Sequence, residues 1–453
     1  MGSHRTDLPC DLGDPEAYAR EIERLAGRAR RRGALGRMRQ WDEPLGDLLA
    51  RRDAVARELA RTVRRGRYRL GPVRAERVVF ADKPRVLHRF GWIDHAVLAV
   101  LARGLSRLAE PELSTGLHSY RRGHSVGTAI AQLTDFIAAH RRSRNKRDRG
   151  LYVVRRDVRA YGESIPTEPA SHLWNAFASV LARLPAGQRA IALDLLQQAL
   201  RPTIEATDGT LVTMTCGTPT GSPLQPLVNN LYLARLDHTL GAQPDGLFVR
   251  FGDDMLLAHP DADVAQHMGQ LLRTQLQVLG LSPSEAKRGD LYVTHCGRPS
   301  AAWPAARGGS CIEYLGLRVD FGGTVALKPR RVRTLLADLR HRWDNTEAAA
   351  SGLALPQRRA LLCGVTSRAL DPRVRLASAM APALVAVVSD RAQLKQLDYT
   401  IALALAERLS GRRGVRAFRD VSHRSLRDAG LASLVVARNG HPVRNPRERT
   451  AEG

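Results

Sequence analysis

The amino-acid sequence predicts an α+β protein, because patterns typical of strands and of helices are interleaved along the chain. In the run GLFVRFGDDMLLAHP, the apolar segments 247–251 and 255–258 flank Gly-Asp-Asp, which predicts a β-hairpin with a tight turn. Residues 151–158 are rich in β-branched and aromatic side chains and predict a further strand. After residue 224, leucines recur at the spacing of an amphipathic helix: Leu227, Leu231, Leu233, Leu236 and Leu240.

The segments on either side of this region are predicted to be mainly helical. Apolar side chains recur at helical spacing up to about residue 65, at Tyr18, Ile22 and Leu25, then Leu45, Leu48 and Leu49, then Val55, Leu59 and Val63. A later helix places Val126, Ile130, Leu133 and Ile137 on one face. From residue 328 the pattern is helical again, starting with Val332, Leu335, Leu336, Leu339 and Trp343. The last of these helices should end at Gly411, and residues 314–317 predict a second hairpin.

Three aspartates in the predicted strands suggest a metal site. Asp253 and Asp254 occupy the hairpin turn, so both carboxylates should project from one point at the edge of a sheet. Asp157 is the one acid in its strand, where a carboxylate is unusual unless it lies at an edge or faces a cation. Carboxylate oxygens are ligands that Mg²⁺ prefers, so the set predicts a magnesium site for substrate phosphates. A plain surface turn is the alternative, because turns favour Gly and Asp.

Two further features complete an ordered series. The loop Gly217-Thr218-Pro219-Thr220-Gly221-Ser222-Pro223-Leu224 lies between the Asp157 strand and the hairpin, and its glycines and prolines predict exposed backbone N–H groups. Lys287 follows the hairpin in LGLSPSEAKRG. The order is therefore a strand with an aspartate, a Gly-rich loop with a helix, an Asp-Asp hairpin, a lysine and a second hairpin.

This order resembles the palm of bacterial reverse transcriptases, the group that includes group II intron and retron enzymes. Residues 251–254 resemble the Tyr-Ala-Asp-Asp box of that group, and residues 217–224 resemble its Gly-x-Pro-Gln-Gly-Ser-Pro-Leu box. Residues 157–165 resemble its Asp-x-x-x-aromatic run that ends in Ser-Ile. Upstream, DKPRVLHRFGWIDHAVLAVL resembles the fingers segment that begins Lys-x-Arg, and GLHSYRRGHSVGTAI resembles Ser-Tyr-Gly-Phe-Arg-Pro-Gly-Arg-Ser. The resemblance covers roughly residues 60–330.

The resemblance implies a right-hand polymerase architecture. An N-terminal helical extension would cover residues 1–65, and the fingers would cover 66–156 with part of 168–215. The palm, an antiparallel sheet with packed helices, would cover 151–327. A helical thumb and the C-terminal region would cover 328–453.

The resemblance also implies nucleotidyl transfer with two Mg²⁺ ions held by Asp157, Asp253 and Asp254. Lys287 would donate a proton to the leaving group, which lysine can do and arginine cannot.

Two cations of the fingers segment, Lys83 and Arg85, would grip the triphosphate of the incoming nucleotide. Only five of the 70 Lys and Arg residues are lysine, and two of those five, Lys83 and Lys287, fall at motif positions. This distribution favours functional roles for both lysines.

Tyr161, Gly162, Thr220 and Gly221 would lie beside the nucleotide, and three positions depart from the family pattern. Gly162 stands where a bulky aromatic normally excludes the ribose 2′-hydroxyl, so sugar discrimination would be weak unless Tyr161 swings into the gap. Thr220 replaces a glutamine, and Gly252 replaces an alanine. These departures suggest altered substrate or primer use in an active enzyme.

The net charge of +25 predicts a polyanionic partner. A basic run before the Asp157 strand has no aromatic residue, so it should contact a phosphate backbone, with a solvated surface as the alternative. Its cations are Arg141, Arg142, Arg144, Lys146, Arg147 and Arg149.

The preferred function is an RNA-directed DNA polymerase whose partners are an RNA template, nascent DNA and deoxynucleotides. Resemblance to stand-alone, abortive-infection and defence-associated enzymes further implies antiphage defence with a structured noncoding RNA. Two alternatives stay open: a nucleotidyltransferase that makes RNA or untemplated polymer, and a non-catalytic RNA-binding or splicing cofactor.

The location of the protein is predicted from its cysteines and its hydropathy. Five cysteines without paired spacing suit a reducing cytosol, which predicts a cytoplasmic protein. The sequence has no long apolar span, so no membrane partner is expected.

Overall fold

A computed structural model of the protein describes residues 11–31, 39–40, 43–80, 83–143, 150–206, 208–285, 289–349, 352–371 and 384–439. Helices and short strands form a mixed α+β fold, as predicted. The helices are α1 Pro15–Arg31, α2 Leu45–Ala50, α3 Arg52–Arg64, α4 Trp92–Ala109, α5 Val126–Ser143, α6 Tyr161–Ser164, α7 His172–Leu181, α8 Ala186–Leu200, α9 Gln225–Tyr232, α10 Ala234–Gly241, α11 Ala262–Val278, α12 Pro329–Ala349, α13 Leu355–Leu370, α14 Arg391–Ser410, α15 His423–Asp428 and α16 Leu434–Asn439. Short 3₁₀ helices cover Glu110–Glu112 and Gly414–Arg419.

The strands are short and most of them pair within hairpins. They are β1 Arg39–Gln40, β2 Glu43–Pro44, β3 Val73–Phe80, β4 Lys83–Arg89, β5 Leu151–Asp157, β6 Thr203–Glu205, β7 Leu211–Thr213, β8 Leu247–Phe251, β9 Asp254–His259, β10 Gly289–Val293, β11 Arg307–Gly309, β12 Cys311–Tyr314, β13 Leu317–Asp320 and β14 Val325–Leu327. Both predicted hairpins are confirmed, as β8–β9 and β12–β13.

The chain divides into two compact units. The first comprises Met1–Tyr120, Arg156–Gln243 and Met268–Lys287, and the second comprises Arg121–Arg155, Pro244–His267 and Arg288–Gly453. Residues of the predicted palm, 151–327, contribute to both units. The division into extension, fingers, palm and thumb stays a prediction.

The first unit combines a four-stranded sheet with a helical core. The sheet has the strand order β4-β3-β6-β7, in which β3 is antiparallel to β4 and parallel to β6. The N-terminal helices pack as the leucine spacing predicts, with Ile22, Leu45 and Leu48 fully buried beside Trp92 of α4. Packing of this apolar cluster is the main source of stability for helices this short.

The second unit contains two sheets and the C-terminal helices. Its five-stranded sheet has the order β11-β10-β5-β9-β8, with β10 antiparallel to β5 and parallel to β11. The sheet is therefore mixed at one edge, where the sequence predicts an antiparallel one. The second sheet, β12-β13-β14, is antiparallel throughout.

One continuous apolar core joins these sheets to the helices of the second unit. The predicted faces of α5 and α12 are confirmed, because Ile130, Leu133, Leu339 and Trp343 are buried in this core. The indole N–H of Trp343 donates to the Thr366 hydroxyl at 2.8 Å, so its one polar group is satisfied. Helix α14 ends at Gly411, which has the φ of +72° that favours glycine at a helix end.

The predicted helix after residue 224 is two helices, α9 and α10, which meet at Leu233. Residues two apart on a continuous helix point in different directions. Leu231 and Leu233 are nevertheless both buried, and the helix breaks at Leu233. Within the described part of the chain, no helix is both long enough and apolar enough to span a membrane.

His95 on α4 should make the stability of the first unit depend on pH. Burial, and to a smaller extent the charge of Arg28, lower the pKa of His95 to about 4 from 6.5. A lowered native pKa gives a contribution that is complete above pH 6.5 and is lost as the pH falls toward 4. The loss at pH 4 should approach about 3 kcal/mol.

Urea unfolding at pH 7, 5.5 and 4 measures this contribution. The His95→Gln variant should lose clearly less stability over this range than the parent, because glutamine does not titrate. His267→Gln, the same change at an exposed position, should follow the parent. Parallel losses in the parent and in His95→Gln would show that this histidine does not titrate as described.

Candidate active site

The Gly-Asp-Asp turn is a two-residue hairpin loop. Phe251 pairs with Asp254, which leaves Gly252 and Asp253 as the loop residues. Gly252 has a φ of +67°, whereas Asp253 keeps a negative φ. This combination fits a type II′ turn, which takes glycine at its first loop position. The predicted hairpin therefore places the two carboxylates at adjacent positions where β8 turns into β9.

Buried side chains hold the carbonyls of this turn. Arg250 is fully buried, and its Nη1 donates to the Gly252 carbonyl at 2.9 Å. Tyr314 of β12 is also fully buried, and its hydroxyl donates to the Asp254 carbonyl at 2.9 Å. Burial, followed by the charge of Asp254, raises the pKa of Tyr314 well above its ordinary value. Tyr314 thus remains a protonated donor, and the turn is fixed from both sides.

The two carboxylates of the turn have different surroundings. Asp254 accepts two hydrogen bonds from Arg155, from Nε to Oδ1 at 2.9 Å and from Nη2 to Oδ2 at 2.6 Å. Asp253 is partly exposed, and its side chain has no hydrogen bond or ion pair among the described residues. Among the described residues, the charge of Asp254 is therefore balanced by a cation, whereas the charge of Asp253 is not.

Arg155 is itself held in place by the second hairpin. Its Nη1 donates to the Glu313 carbonyl at 3.1 Å. The Glu313 carboxylate pairs with Lys328 at 2.8 Å, and that lysine is the main cause of the lowered pKa of Glu313. Arg155 lies two residues before Asp157 in the sequence, which gives no sign that its partner is Asp254. The missing information was the strand order, which places β5 next to β9.

Asp157 is the last residue of β5 and is buried. Within the first unit, Ser284 N–H donates to the Asp157 carbonyl at 2.6 Å, and Arg159 N–H donates to the Ser282 carbonyl at 2.9 Å. These bonds fix the backbone at Asp157 and just after it. Across the described ranges, no three His, Cys, Asp or Glu side chains are grouped as a metal site. The magnesium site stays a prediction.

The Gly-rich loop is bonded to β4 in the first unit. Thr220 N–H donates to Nδ1 of His88 at 3.0 Å, and His88 N–H donates to the Thr220 carbonyl at 2.7 Å. Burial lowers the pKa of His88, which favours the neutral ring that can accept this bond. Gly221 has a φ of +104°, and a Cβ there would lie 3.1 Å from the His88 carbonyl. Sequence reasoning missed His88, because nothing local marks it as a partner of the loop.

The space beside Gly162 is occupied by a side chain of α9. A Cβ on Gly162 would lie 2.9 Å from Nε2 of Gln225. Tyr161 is buried, and its hydroxyl donates to the Asn229 carbonyl at 2.6 Å. A swing of Tyr161 toward this space would break that bond. The structure thus adds Gln225, which the sequence did not single out, to the residues around position 162.

The predicted cations are placed only in part. Arg85 is exposed on β4, and Lys83 begins that strand, although its side chain is outside the described residues. Arg141 and Arg142 are exposed at the end of α5, where Arg141 Nη1 donates to the Gly322 carbonyl at 3.1 Å. Four cations of the basic run and the predicted proton donor lie outside the described residues: Arg144, Lys146, Arg147, Arg149 and Lys287.

Comparison with known proteins gives a structural likeness only. No protein-family model matches the sequence, and no curated protein matches it. The structure of Candida albicans telomerase in complex with a TWJ fragment of telomeric RNA aligns with a TM-score of 0.51 and 11% identity, over 80% of this chain and 65% of that chain. This chain therefore spans 65% of the length of that telomerase chain.

Two further structures align less well. Apo telomerase from Candida tropicalis has a TM-score of 0.47 and 11% identity, over 95% of this chain and 86% of that chain. The RNA-dependent RNA polymerase of a human picobirnavirus has a TM-score of 0.46 and 12% identity, over 81% of this chain and 61% of that chain. The alignment with Candida albicans telomerase shows a polymerase fold of the reverse-transcriptase kind for this chain.

Proposed function

We propose that this protein is a template-directed nucleotidyltransferase that copies RNA into DNA. The observation that carries this proposal is the Gly-Asp-Asp turn between β8 and β9, within a fold of the reverse-transcriptase kind. A fold alone does not define an activity, so the proposal depends on the chemistry of this turn. Two adjacent carboxylates at a fixed turn suit a reaction on a polyphosphate, provided that cations accompany it.

The acids of the proposed site are Asp157, Asp253 and Asp254, which would hold two Mg²⁺ ions. All three supply the oxygen donors that Mg²⁺ prefers. Bound Mg²⁺ supplies positive charge that activates a primer 3′-hydroxyl and balances the triphosphate and the leaving pyrophosphate. Asp254 is paired with Arg155, so a metal ion that binds this carboxylate would have to displace the arginine. The fixed backbone of the turn would keep Asp253 and Asp254 aimed without further reorganisation.

The first unit would hold the incoming nucleotide. We propose that Lys83 and Arg85 of β4 bind the triphosphate, with the planar fork of the arginine suited to two phosphate oxygens. The bonds between His88 and Thr220 support this role, because they fix β4 to the Gly-rich loop. Lys287 would protonate the leaving pyrophosphate, since a lysine can release its proton and an arginine cannot.

The proposed partners are an RNA template, the growing DNA strand and deoxynucleotides. The net charge of +25 favours a nucleic acid, and the exposed Arg142 at the end of α5 is available to a phosphate backbone. A structured noncoding RNA and a role in antiphage defence are proposed from the resemblance to stand-alone bacterial reverse transcriptases.

A primer-extension assay with an RNA template, Mg²⁺ and deoxynucleotides tests the polymerase proposal. Asp253→Asn should reduce extension by about 100-fold or more, because loss of a metal ligand removes several kcal/mol of transition-state stabilisation. Asp245→Asn removes an equal charge at an exposed position before β8, at the other end of that strand from the turn, and should extend as the parent does. Full activity in Asp253→Asn would reject the proposed role of the turn.

A second candidate function is the synthesis of RNA or of untemplated polymer. The observation that favours it is the absence of a side chain at Gly162, where the Gln225 amide and the Thr218 hydroxyl lie beside the position that a Cβ would take. Parallel assays with ribonucleotides and deoxynucleotides distinguish the two functions.

Gly162→Phe should shift selectivity toward deoxynucleotides by about tenfold, since its ring would exclude a 2′-hydroxyl. The clash with Gln225 is tolerable because its amide is the far end of a flexible side chain, held by one long hydrogen bond of 3.4 Å from the Gly221 N–H. Gly162→Ala, which adds only a methyl group, should shift the ratio much less. An unchanged ratio in Gly162→Phe would show that position 162 does not contact the sugar.

A further inference from the structure

Arg155 occupies both oxygens of one of the two turn carboxylates. Its Nε and Nη2 lie 2.9 and 2.6 Å from Oδ1 and Oδ2 of Asp254. A guanidinium in this position and a divalent ion cannot both bind those two oxygens. We propose that Arg155 competes with the metal ion for Asp254, and so sets how tightly the turn binds metal. This inference rests on the proposed function, because it assumes that Asp254 is a metal ligand.

The pairing has the features of a strong interaction. It is bidentate and charge-assisted, a geometry that makes Arg–carboxylate pairs stronger than single hydrogen bonds. The two side chains are only 27% and 16% exposed, so water screens them less than it screens a surface pair. A metal ion that takes Asp254 must therefore displace an interaction that already neutralises this carboxylate.

The position of Arg155 does not depend on Asp254 alone. Its Nη1 bonds to the Glu313 carbonyl, and its guanidinium lies 6.0 Å from the centre of the Tyr314 ring. These two contacts come from β12, which follows the catalytic hairpin in the chain. When a metal ion takes Asp254, Arg155 can release the carboxylate and keep its bond to Glu313. Contacts with Glu313 and Tyr314 thus hold Arg155 in place independently of Asp254.

The difference between the two acids gives an order of events. Asp253 is partly exposed and has no ion pair among the described residues, so a metal ion meets this carboxylate without competition. Asp254 follows once Arg155 withdraws.

Manganese binding to the full-length protein tests this competition without an activity assay. The signal of free aqueous Mn²⁺ in electron paramagnetic resonance gives the dissociation constant for the parent and for each variant. Arg155→Met should bind Mn²⁺ about tenfold more tightly, on the scale of one charge-assisted pair. Arg155→Lys should fall between the two, since lysine is a point charge without a fork. Arg318→Met removes an exposed arginine of β13 and should bind Mn²⁺ within about twofold of the parent.

A double-mutant cycle assigns the effect to Asp254. In an Asp254→Asn background, Arg155→Met should no longer raise the affinity for Mn²⁺. Thermal unfolding gives a second readout: Arg155→Met should be less stable than the parent in EDTA, and saturating Mn²⁺ should close that gap. If Arg155→Met does not fold, Arg155→Lys carries the test and must still bind Mn²⁺ more tightly than the parent.

Equal or weaker Mn²⁺ binding by the Arg155 variants would overturn the inference and leave Arg155 with a purely structural role. Failure of the proposed function has a different signature, namely full primer extension by Asp253→Asn. The ratio of Mn²⁺ affinities and the loss of extension are measured on different variants, so the two failures are distinguishable.

Discussion

The geometry of the candidate site depends on the two-residue turn between β8 and β9. Strand β9 is buried on both faces, with Met255, Leu256 and Leu257 almost fully inaccessible. A shift of one residue in its register would therefore exchange two packed faces and move Asp254 to the other side of the sheet. Gly252 permits the positive φ that closes the turn, and Arg250 and Tyr314 satisfy its carbonyls. The positions of the two carboxylates are therefore set by the buried residues of β9 and by these two hydrogen bonds to the turn.

Arg155, a residue of the same unit, reduces the repulsion between the two adjacent carboxylates of the turn. Two adjacent carboxylates repel each other, and a nearby cation offsets that repulsion. Arg155 provides that cation for Asp254 only, and Asp253 is left for a partner from solution. In the proposed site, this asymmetry would make Asp253 the first carboxylate to meet a metal ion and Asp254 a ligand that Arg155 regulates.

In the first unit, a small number of contacts likewise fixes the predicted nucleotide-binding residues. Strand β4 and the Gly-rich loop exchange two hydrogen bonds through His88 and Thr220, so these segments are fixed to each other at the predicted nucleotide-binding face. Gln225, the first residue of α9, occupies the space that a side chain at position 162 would need. Selectivity for the sugar would then depend on the amide of Gln225, which can move. The bacterial reverse transcriptases that the sequence resembles use a rigid aromatic ring instead.

The sequence by itself determined the features that depend on near neighbours. The apolar runs around Gly252 define the hairpin, and leucine spacing defines the buried faces of α5 and α12. It did not reveal the break at Leu233, although Leu231 and Leu233 are both buried. Tertiary structure alone decided the pairing of Arg155 with Asp254, 99 residues apart, and of His88 with Thr220, 132 residues apart. Such pairs depend on which strands lie side by side, and periodicity within a segment carries no information about that order.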